Sequence, residues 1–210
     1  MLTRNTLLAA LLITPLTAMA AEDSAWSGGA ELGTIFTSGN TDTQSINGNF
    51  NAKHTGDVWD SMVKLEALTS KEDDVTSKEK YSVFTQFDRN FTERSYLAIV
   101  AQQERARFSG YTYQTSASVN YGYRAIKQDN MELDLEAGPG FRRDKLKETD
   151  EIEEGAIARL ALNYSWTISE GVKFIEIFSA EMGSDQSVYK SETNSNREIN
   201  RSQLRQRTRA

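Results

Sequence analysis

The sequence predicts an all-β fold, an antiparallel transmembrane β-barrel. Apolar and polar residues alternate along most of the chain, and successive strand side chains point to opposite faces of a sheet. The alternating stretches are roughly twice as long as the ~5–6 residues typical of soluble sheets. The only prolines are Pro15 and Pro139, a scarcity that long paired strands require because proline cannot donate to the ladder.

Residues 1–20 are predicted to be a cleaved signal peptide. Arg4 supplies a positive n-region, residues 7–16 form an apolar core, and Ala18-Met19-Ala20 is a small-residue cleavage site. No later apolar run approaches the ~20 residues that a spanning helix needs. The chain has no cysteine, which excludes disulfides, thiol chemistry and cysteine-based metal sites.

Ten strands are predicted, the tenth short. Their ranges are 26–37, 45–53, 58–70, 78–90, 96–104, 111–124, 131–142, 156–166, 172–182 and 188–193. The first two form a hairpin around residues 38–42, where Ser, Gly, Asn and Asp suit a tight turn. Leu32 and Phe36 in the first strand, and Ile46 and Phe50 in the second, line one apolar face.

The third and fourth strands repeat this pattern, with Val63 and Val83 on apolar faces. Phe84 breaks the alternation of the fourth strand. The fifth strand alternates weakly and is predicted from β-propensity and length. The seventh, eighth and ninth strands again carry one apolar and one polar face. Glu176 is a misfit because it falls on the apolar face of the ninth strand, which a bulge would explain.

The sixth strand alternates most cleanly, with tyrosines at both ends and small or branched residues between them. This order is expected of aromatic girdles at two membrane interfaces. The predicted girdle residues are Trp26, Trp59, Tyr111, Tyr113, Tyr121, Tyr123, Tyr164 and Trp166.

Predicted connections alternate in length. Those at 55–57, 90–94, 126–130 and 169–171 are short, whereas 71–77 and 142–153 are longer and charged. Outer-membrane barrels have short periplasmic turns and longer outer loops. A periplasmic N-terminus would therefore place the turn at 38–42 and every long loop outside.

Charged residues on the polar faces are predicted to line a narrow lumen. The main candidates are Glu31, Lys64, Glu66, Arg124, Asp134, Glu136 and Arg159. Mutual pairing that fills the interior is the favoured interpretation. The alternative is a small cation-preferring pore, since acidic groups line selective channels, with Asp134 and Glu136 as its constriction.

The sequence predicts neither a catalytic site, a metal site nor a cofactor. His54 is the sole histidine and falls beside a turn, where an interfacial role is favoured over catalysis. Residues 38–42 and 71–74 lack the spacing of a known calcium loop. Residues 138–140 (GPG) are predicted to be a strand bend or bulge, because no helix follows to hold a phosphate.

Composition removes one function class and leaves another open. The formal net charge of −6 argues against nucleic-acid binding. A mean hydropathy of −0.57 does not argue against a membrane barrel, in which only alternate residues meet lipid.

Five sequence blocks resemble one known family. They are residues 26–33 (WSGGAELG), 37–43 (TSGNTDT), 108–111 (FSGY), 121–124 (YGYR) and 134–143 (DLEAGPGFRR). Over about residues 26–193 the chain resembles the salt-induced outer-membrane proteins of Gram-negative bacteria, the YdiY-like family. The resemblance implies an outer-membrane β-barrel and brings no catalytic residues.

The C-terminal segment departs from that resemblance. Residues 194–210 are Arg-rich, do not alternate and lack a terminal aromatic residue, so they are predicted not to be strand. Single-chain bacterial barrels have an even number of strands and no edge. Two or three strands are therefore expected to be missing through truncation or a frameshift, which leaves residues 21–193 as the barrel.

The resulting expectation is a non-enzymatic envelope protein of the outer membrane, linked to salt or osmotic conditions, with a structural or minor-pore role. Its expected partners are membrane lipid, the barrel-assembly machinery and small ions or solutes. Two alternatives stay open: an outer-membrane hydrolase that uses His54, and a soluble periplasmic lipocalin-like barrel with its apolar face around a ligand.

Overall fold

The structure, a computed structural model, describes residues 25–38, 42–169, 171–184 and 186–197, without the side chains of Asn196 and Arg197. The signal peptide predicted at 1–20 and the tail from 198 onward lie outside the described residues.

Ten strands make up nearly all of the described chain. They are β1 (Trp26–Thr37), β2 (Thr43–His54), β3 (Trp59–Glu72), β4 (Val75–Asn90), β5 (Ser95–Ala106), β6 (Tyr111–Gln128), β7 (Met131–Leu146), β8 (Ile152–Ser169), β9 (Val172–Gly183) and β10 (Ser187–Arg197). The predicted all-β antiparallel fold is confirmed. β10 extends past the predicted strand boundary at Thr193. No helix in the described residues is long and apolar enough to cross a membrane.

The strands form one meandering sheet in sequence order, and it curls into a half-barrel. Every neighbouring pair is antiparallel, from β1 with β2 to β9 with β10. Among the described residues, β1 and β10 are the two edges of the sheet and do not pair with each other. The curl nevertheless brings β10 near β5 across the concave face, where Lys190 Nζ lies 3.5 Å from Glu104 Oε2.

The connections in the structure differ less in length than the sequence predicted. The charged segment predicted as a loop at 71–77 is almost entirely strand, and only Asp73 and Asp74 form the turn. Both have positive φ, 47° and 64°, which is the conformation of a two-residue type I′ hairpin. The segment predicted as a loop at 142–153 also narrows to residues 147–151. Loop length therefore gives little support to the predicted orientation of the sheet.

The 147–151 hairpin closes through an ion pair. Asp150 adopts a positive φ of 58°, and its carboxylate lies 2.8 Å from Lys145 Nζ. The hydrogen bond from Lys145 lowers the pKa of the Asp150 carboxyl group below its ordinary value.

β5 alternates weakly in the sequence because both of its faces carry apolar side chains. Tyr96, Ala98 and Val100 are buried on the concave face, and Phe84 of β4 packs against them. Phe84 therefore breaks the pattern of its own strand in order to cover this cluster. Lys64 lies over its ring at 5.7 Å.

The glycines at 138 and 140 serve close strand packing; of the predicted strand bend or bulge, the structure has no bulge here. The register of β7 against β6 is the same on both sides of this segment, with Phe141 opposite Ala117 and Ala137 opposite Tyr121. A Cβ added at Gly138 would lie 2.0 Å from the carbonyl oxygen of Val119. Only glycine allows the two backbones to approach so closely.

Glu176 does lie on the outward face, without a bulge between β9 and β10. The hydroxyl groups of Ser191 and Thr193 on β10 donate hydrogen bonds to its carboxylate. Glu176 is opposite Tyr164 in the register, so it lies level with an aromatic residue near one end of the sheet. The misfit is thus explained by polar partners on the following strand.

We expect Gly138→Ala to destabilise the fold by about 1–3 kcal/mol, the usual cost of overpacking, or more. The new methyl group would meet backbone atoms of β6 that cannot rotate away. Urea unfolding of the refolded chain in detergent micelles measures the change. Gly155→Ala is the matched control, because nothing lies within 4 Å of a Cβ at that position. Equal stability of the two variants would contradict the close-packing explanation.

Candidate functional site

The candidate site is the concave face of the half-barrel, a concavity of about 1290 Å³. The strand alternation turns polar side chains toward it and apolar ones away from it. Many of these polar residues are buried: Ser116, Ser118, Asn120, Glu136, Arg142, Asp144, Arg159 and Glu181. Burial of charges is costly unless they are paired and hydrogen-bonded, so the partners determine what this face can do.

The first of two buried clusters is centred on the carboxylate of Glu136. Arg159 Nη1 donates to Glu136 Oε2 at 2.7 Å. The other oxygen accepts from Tyr96 Oη at 3.1 Å and from Gln86 Nε2 at 2.9 Å. Four strands, β4, β5, β7 and β8, therefore meet at one carboxylate. We call these residues the Glu136 cluster.

Tyr96 is held in this cluster by a glycine on the neighbouring strand. Gly122 is its direct partner in the register, and a Cβ at Gly122 would lie 2.2 Å from the Tyr96 ring. The ring therefore lies over the glycine and reaches Glu136 on the strand beyond. The Arg124 guanidinium covers the same ring at 4.8 Å, in cation–π geometry.

The second buried cluster is centred on Arg142. Its Nη1 donates to Glu181 at 2.8 Å and its Nε to Asp144 at 2.7 Å. Gln102 and Ser116 also donate to Glu181, at 2.6 and 2.8 Å. This Arg142 cluster joins β5, β6, β7 and β9, so the two clusters together link the two sides of the curled sheet.

A third, more exposed group lies toward the end of the sheet that carries the turns at 55–58 and 91–94. Arg124 Nη2 lies 3.3 Å from Asp60 Oδ2 and donates to Asn90 Oδ1 at 2.9 Å. Asp60 also accepts from the backbone N–H of Gly56. Arg124 thus links this group to the ring of Tyr96.

The structure separates the seven predicted lumen residues into two sets. Glu136, Arg159 and Arg124 belong to the bonded groups described above. Asp134 is half-buried and lines the same concavity, whereas Glu66 accepts a hydrogen bond from Ser82. Lys64 lies over Phe84, and Glu31 is exposed on β1. The predicted constriction is therefore not a pair of free acids, because Glu136 is neutralised by Arg159.

Sequence reasoning missed several members of the clusters. β5 carries apolar residues on both faces, so its pattern did not identify Tyr96 as a site residue. In β9 the prediction rested on the apolar face, and Glu181 lies on the other face. The signal for Glu181 was present, since it occupies the polar phase of that strand. Its partners Gln102 and Arg142 lie on distant strands, and no local pattern identifies them.

Six of the predicted girdle residues lie on the outward face toward the end with the turns at 55–58 and 91–94. They are Trp26, Trp59, Tyr121, Tyr123, Tyr164 and Trp166. Tyr113 faces outward at the opposite end. Tyr111 does not share the outward phase of the other predicted girdle residues, because a bulge at Thr112 shifts it into the phase of Leu146. Its hydroxyl accepts from Gln186 instead.

His54 lies at the end of β2 on the outward face. Its ring packs edge-on against Trp26, with the ring centres 4.9 Å apart. Ser61 is its partner in the register of β3, and no hydrogen bond joins the two side chains in the described part of the chain. Among the described residues, no group of three or more His, Asp or Glu side chains is arranged to hold a metal ion.

Comparison with known proteins gives one family match. The family model described as "Protein of unknown function, DUF481" matches residues 30–203, which include every residue of both buried clusters. No curated protein matches the sequence.

Removing one partner of the buried pair is expected to be costly. Arg159→Met or Glu136→Gln should each lower stability by about 3–5 kcal/mol, because the remaining charge is left buried without its partner. The double variant should lose less than the sum of the two single losses, which urea unfolding of all four proteins measures. Arg143→Ala is the control, because its pair with Glu154 is half-exposed and worth about 0–1 kcal/mol. Additive losses would show that the pair is not coupled.

Proposed function

The chain belongs to the DUF481 family, and from this premise we propose that it is an outer-membrane β-barrel protein with a structural role in the cell envelope. Outer-membrane lipid surrounds the sheet, and the barrel-assembly machinery inserts it. The link to salt or osmotic conditions rests on the sequence resemblance alone. The protein has no catalytic role in this proposal.

One observation carries the proposal: the polarity of the sheet is inverted relative to a soluble protein. Large apolar side chains stand exposed on the outward face of strand after strand, including Leu32, Phe36, Phe50, Val83, Phe87, Ile99, Val119, Leu160 and Phe178. The concave face buries Glu136, Arg142 and Arg159. Soluble proteins rarely expose apolar patches larger than a few hundred Å², whereas lipid is the solvent that this face suits.

The same polarity disfavours a soluble lipocalin-like barrel. Such a barrel needs an apolar interior around its ligand, but this interior contains buried ion pairs between β7 and β8 and between β7 and β9. A hydrolase is supported only by the register position of Ser61 opposite His54. The His54 ring is engaged with Trp26, and a nucleophile–base pair needs a hydrogen bond between its members.

A structural role is favoured over a pore because the charges of the two buried clusters are already paired. The Glu136 and Arg142 clusters link opposite sides of the sheet through direct hydrogen bonds. A conducting lumen requires sites that release ions as well as bind them. Carboxylates held by buried arginines have little capacity for that exchange.

The proposal predicts that the expressed chain fractionates with the outer membrane and that its band shifts on heating before SDS gel electrophoresis. The shift is expected because a paired sheet resists SDS until it is heated. Cells that express a known soluble periplasmic protein provide the fractionation control. Recovery of the folded chain in the soluble periplasmic fraction would contradict the membrane assignment.

The same preparation tests the structural role in planar bilayers. The natural sequence should show little conductance, and Glu136→Ala combined with Arg159→Ala should raise it by removing the buried pair. Stable cation-selective channels from the natural sequence would instead establish the minor-pore alternative.

A further inference from the structure

We propose that the outward face beside the 107–110 turn binds the phosphate group of a membrane lipid headgroup through Arg105, Arg107 and Lys147. This inference rests on the proposed membrane location and adds a specific lipid site to it. The site is separate from the concave face, and the structural role described above does not use it.

The site is a concavity of about 380 Å³ where the β3–β4 hairpin extends beyond the end of β5. Its lining consists of Glu79, Tyr81, Arg105, Arg107, Tyr111, Thr112 and Lys147. Two backbone hydrogen bonds fix its walls: Arg107 N donates to Glu79 O at 2.8 Å, and Lys147 N donates to Gly110 O at 2.9 Å. The three cations are therefore held on one rigid frame.

Charge distinguishes this concavity from the rest of the molecule. Three cations face one carboxylate, Glu79, in a chain whose formal net charge is −6. Arg107 pairs with Glu79 at 3.1 Å. Within the described residues Arg105 has no ion pair, and Lys147 Nζ donates only to the backbone carbonyl of Arg107. Arg105 and Lys147 thus keep donors for an anion.

Two neighbouring outward cations at this end of the sheet are already paired with carboxylates. Arg143 pairs with Glu154 at 3.5 Å, and Lys145 with Asp150 at 2.8 Å. The Arg105 concavity differs from these neighbours because its three cations share one carboxylate. Arginine guanidinium and lysine ammonium groups are the usual ligands of phosphate oxygens.

The surrounding aromatic residues place the cations at the depth of a headgroup. Tyr81 is opposite Arg105 in the register and faces outward, and Phe108 is exposed beside Arg107, whose guanidinium lies 5.8 Å from the ring centre. Aromatic side chains on a lipid-facing surface concentrate at the membrane–water interface. A cation beside them meets lipid phosphates, and the acyl chains of the same lipid would lie along the apolar outward face.

The test uses the refolded chain in detergent micelles with dihexanoyl phosphatidic acid, a soluble lipid whose headgroup is a phosphomonoester. Isothermal titration calorimetry should give saturable binding. Arg105→Ala combined with Lys147→Ala should weaken it by about tenfold or more, the effect of losing charge-assisted hydrogen bonds. Arg143→Ala is the matched control and should leave the affinity unchanged. The heat-dependent gel shift verifies that each variant is folded.

Two further arms identify the source of the phosphate. Dihexanoyl phosphatidylcholine and inorganic phosphate should both bind more weakly than the phosphomonoester lipid. Equal binding of inorganic phosphate would overturn the lipid assignment in favour of a free anion, and equal binding by the double variant would overturn the site. Because the assay is run in micelles, failure of this site is distinguishable from failure of membrane localisation, which fractionation reports.

Discussion

The fold depends on the carboxylate of Glu136 and the four strands that meet at it. Arg159, Tyr96 and Gln86 bond to its two oxygens from β8, β5 and β4. A buried carboxylate without these partners would cost several kcal/mol, so the sheet has to curl far enough to bring them together. The cluster therefore couples the curvature of the half-barrel to the neutralisation of its interior.

This coupling also explains the outward face. When polar side chains satisfy one another inside, the alternation of each strand forces apolar side chains outward. In water that surface would favour aggregation, and in a bilayer it would face a matching solvent. The same setting makes the edges at β1 and β10 important, because unpaired backbone groups are costly in hydrocarbon. In a bilayer, each of these edges would need a hydrogen-bonding partner.

Local pattern was enough to predict the ten strands, their antiparallel order and the phase of most residues. The clean alternation of β6 predicted that Ser118 and Val119 lie on opposite faces, and the structure buries Ser118 and exposes Val119. Local pattern failed where backbone geometry changed the phase, as at the bulge that turns Tyr111 inward. The loop predicted around Asp73 and Asp74 was also too long, because charged residues occur both in long loops and in tight hairpins.

Partners inside the concavity were not predictable from sequence. Gln102 and Glu181 are 79 residues apart, and Gln86 and Glu136 are 50 apart. Their contact follows from the curl of the whole sheet rather than from any local signal. The sequence predicted that interior charges pair with one another, and the structure shows which residues form the pairs.

The central claim is that Ala117, Val119 and Tyr121 in the middle of β6 meet lipid, whereas Ser118 and Asn120 face the buried interior. Since the chain has no cysteine, single cysteines at 117 to 121 can be spin-labelled in the unfolded protein before it is refolded into vesicles. The account predicts high accessibility to oxygen at Ala117, Val119 and Tyr121 and low accessibility at Ser118 and Asn120. High oxygen accessibility at the even positions, or no period of two, would contradict it.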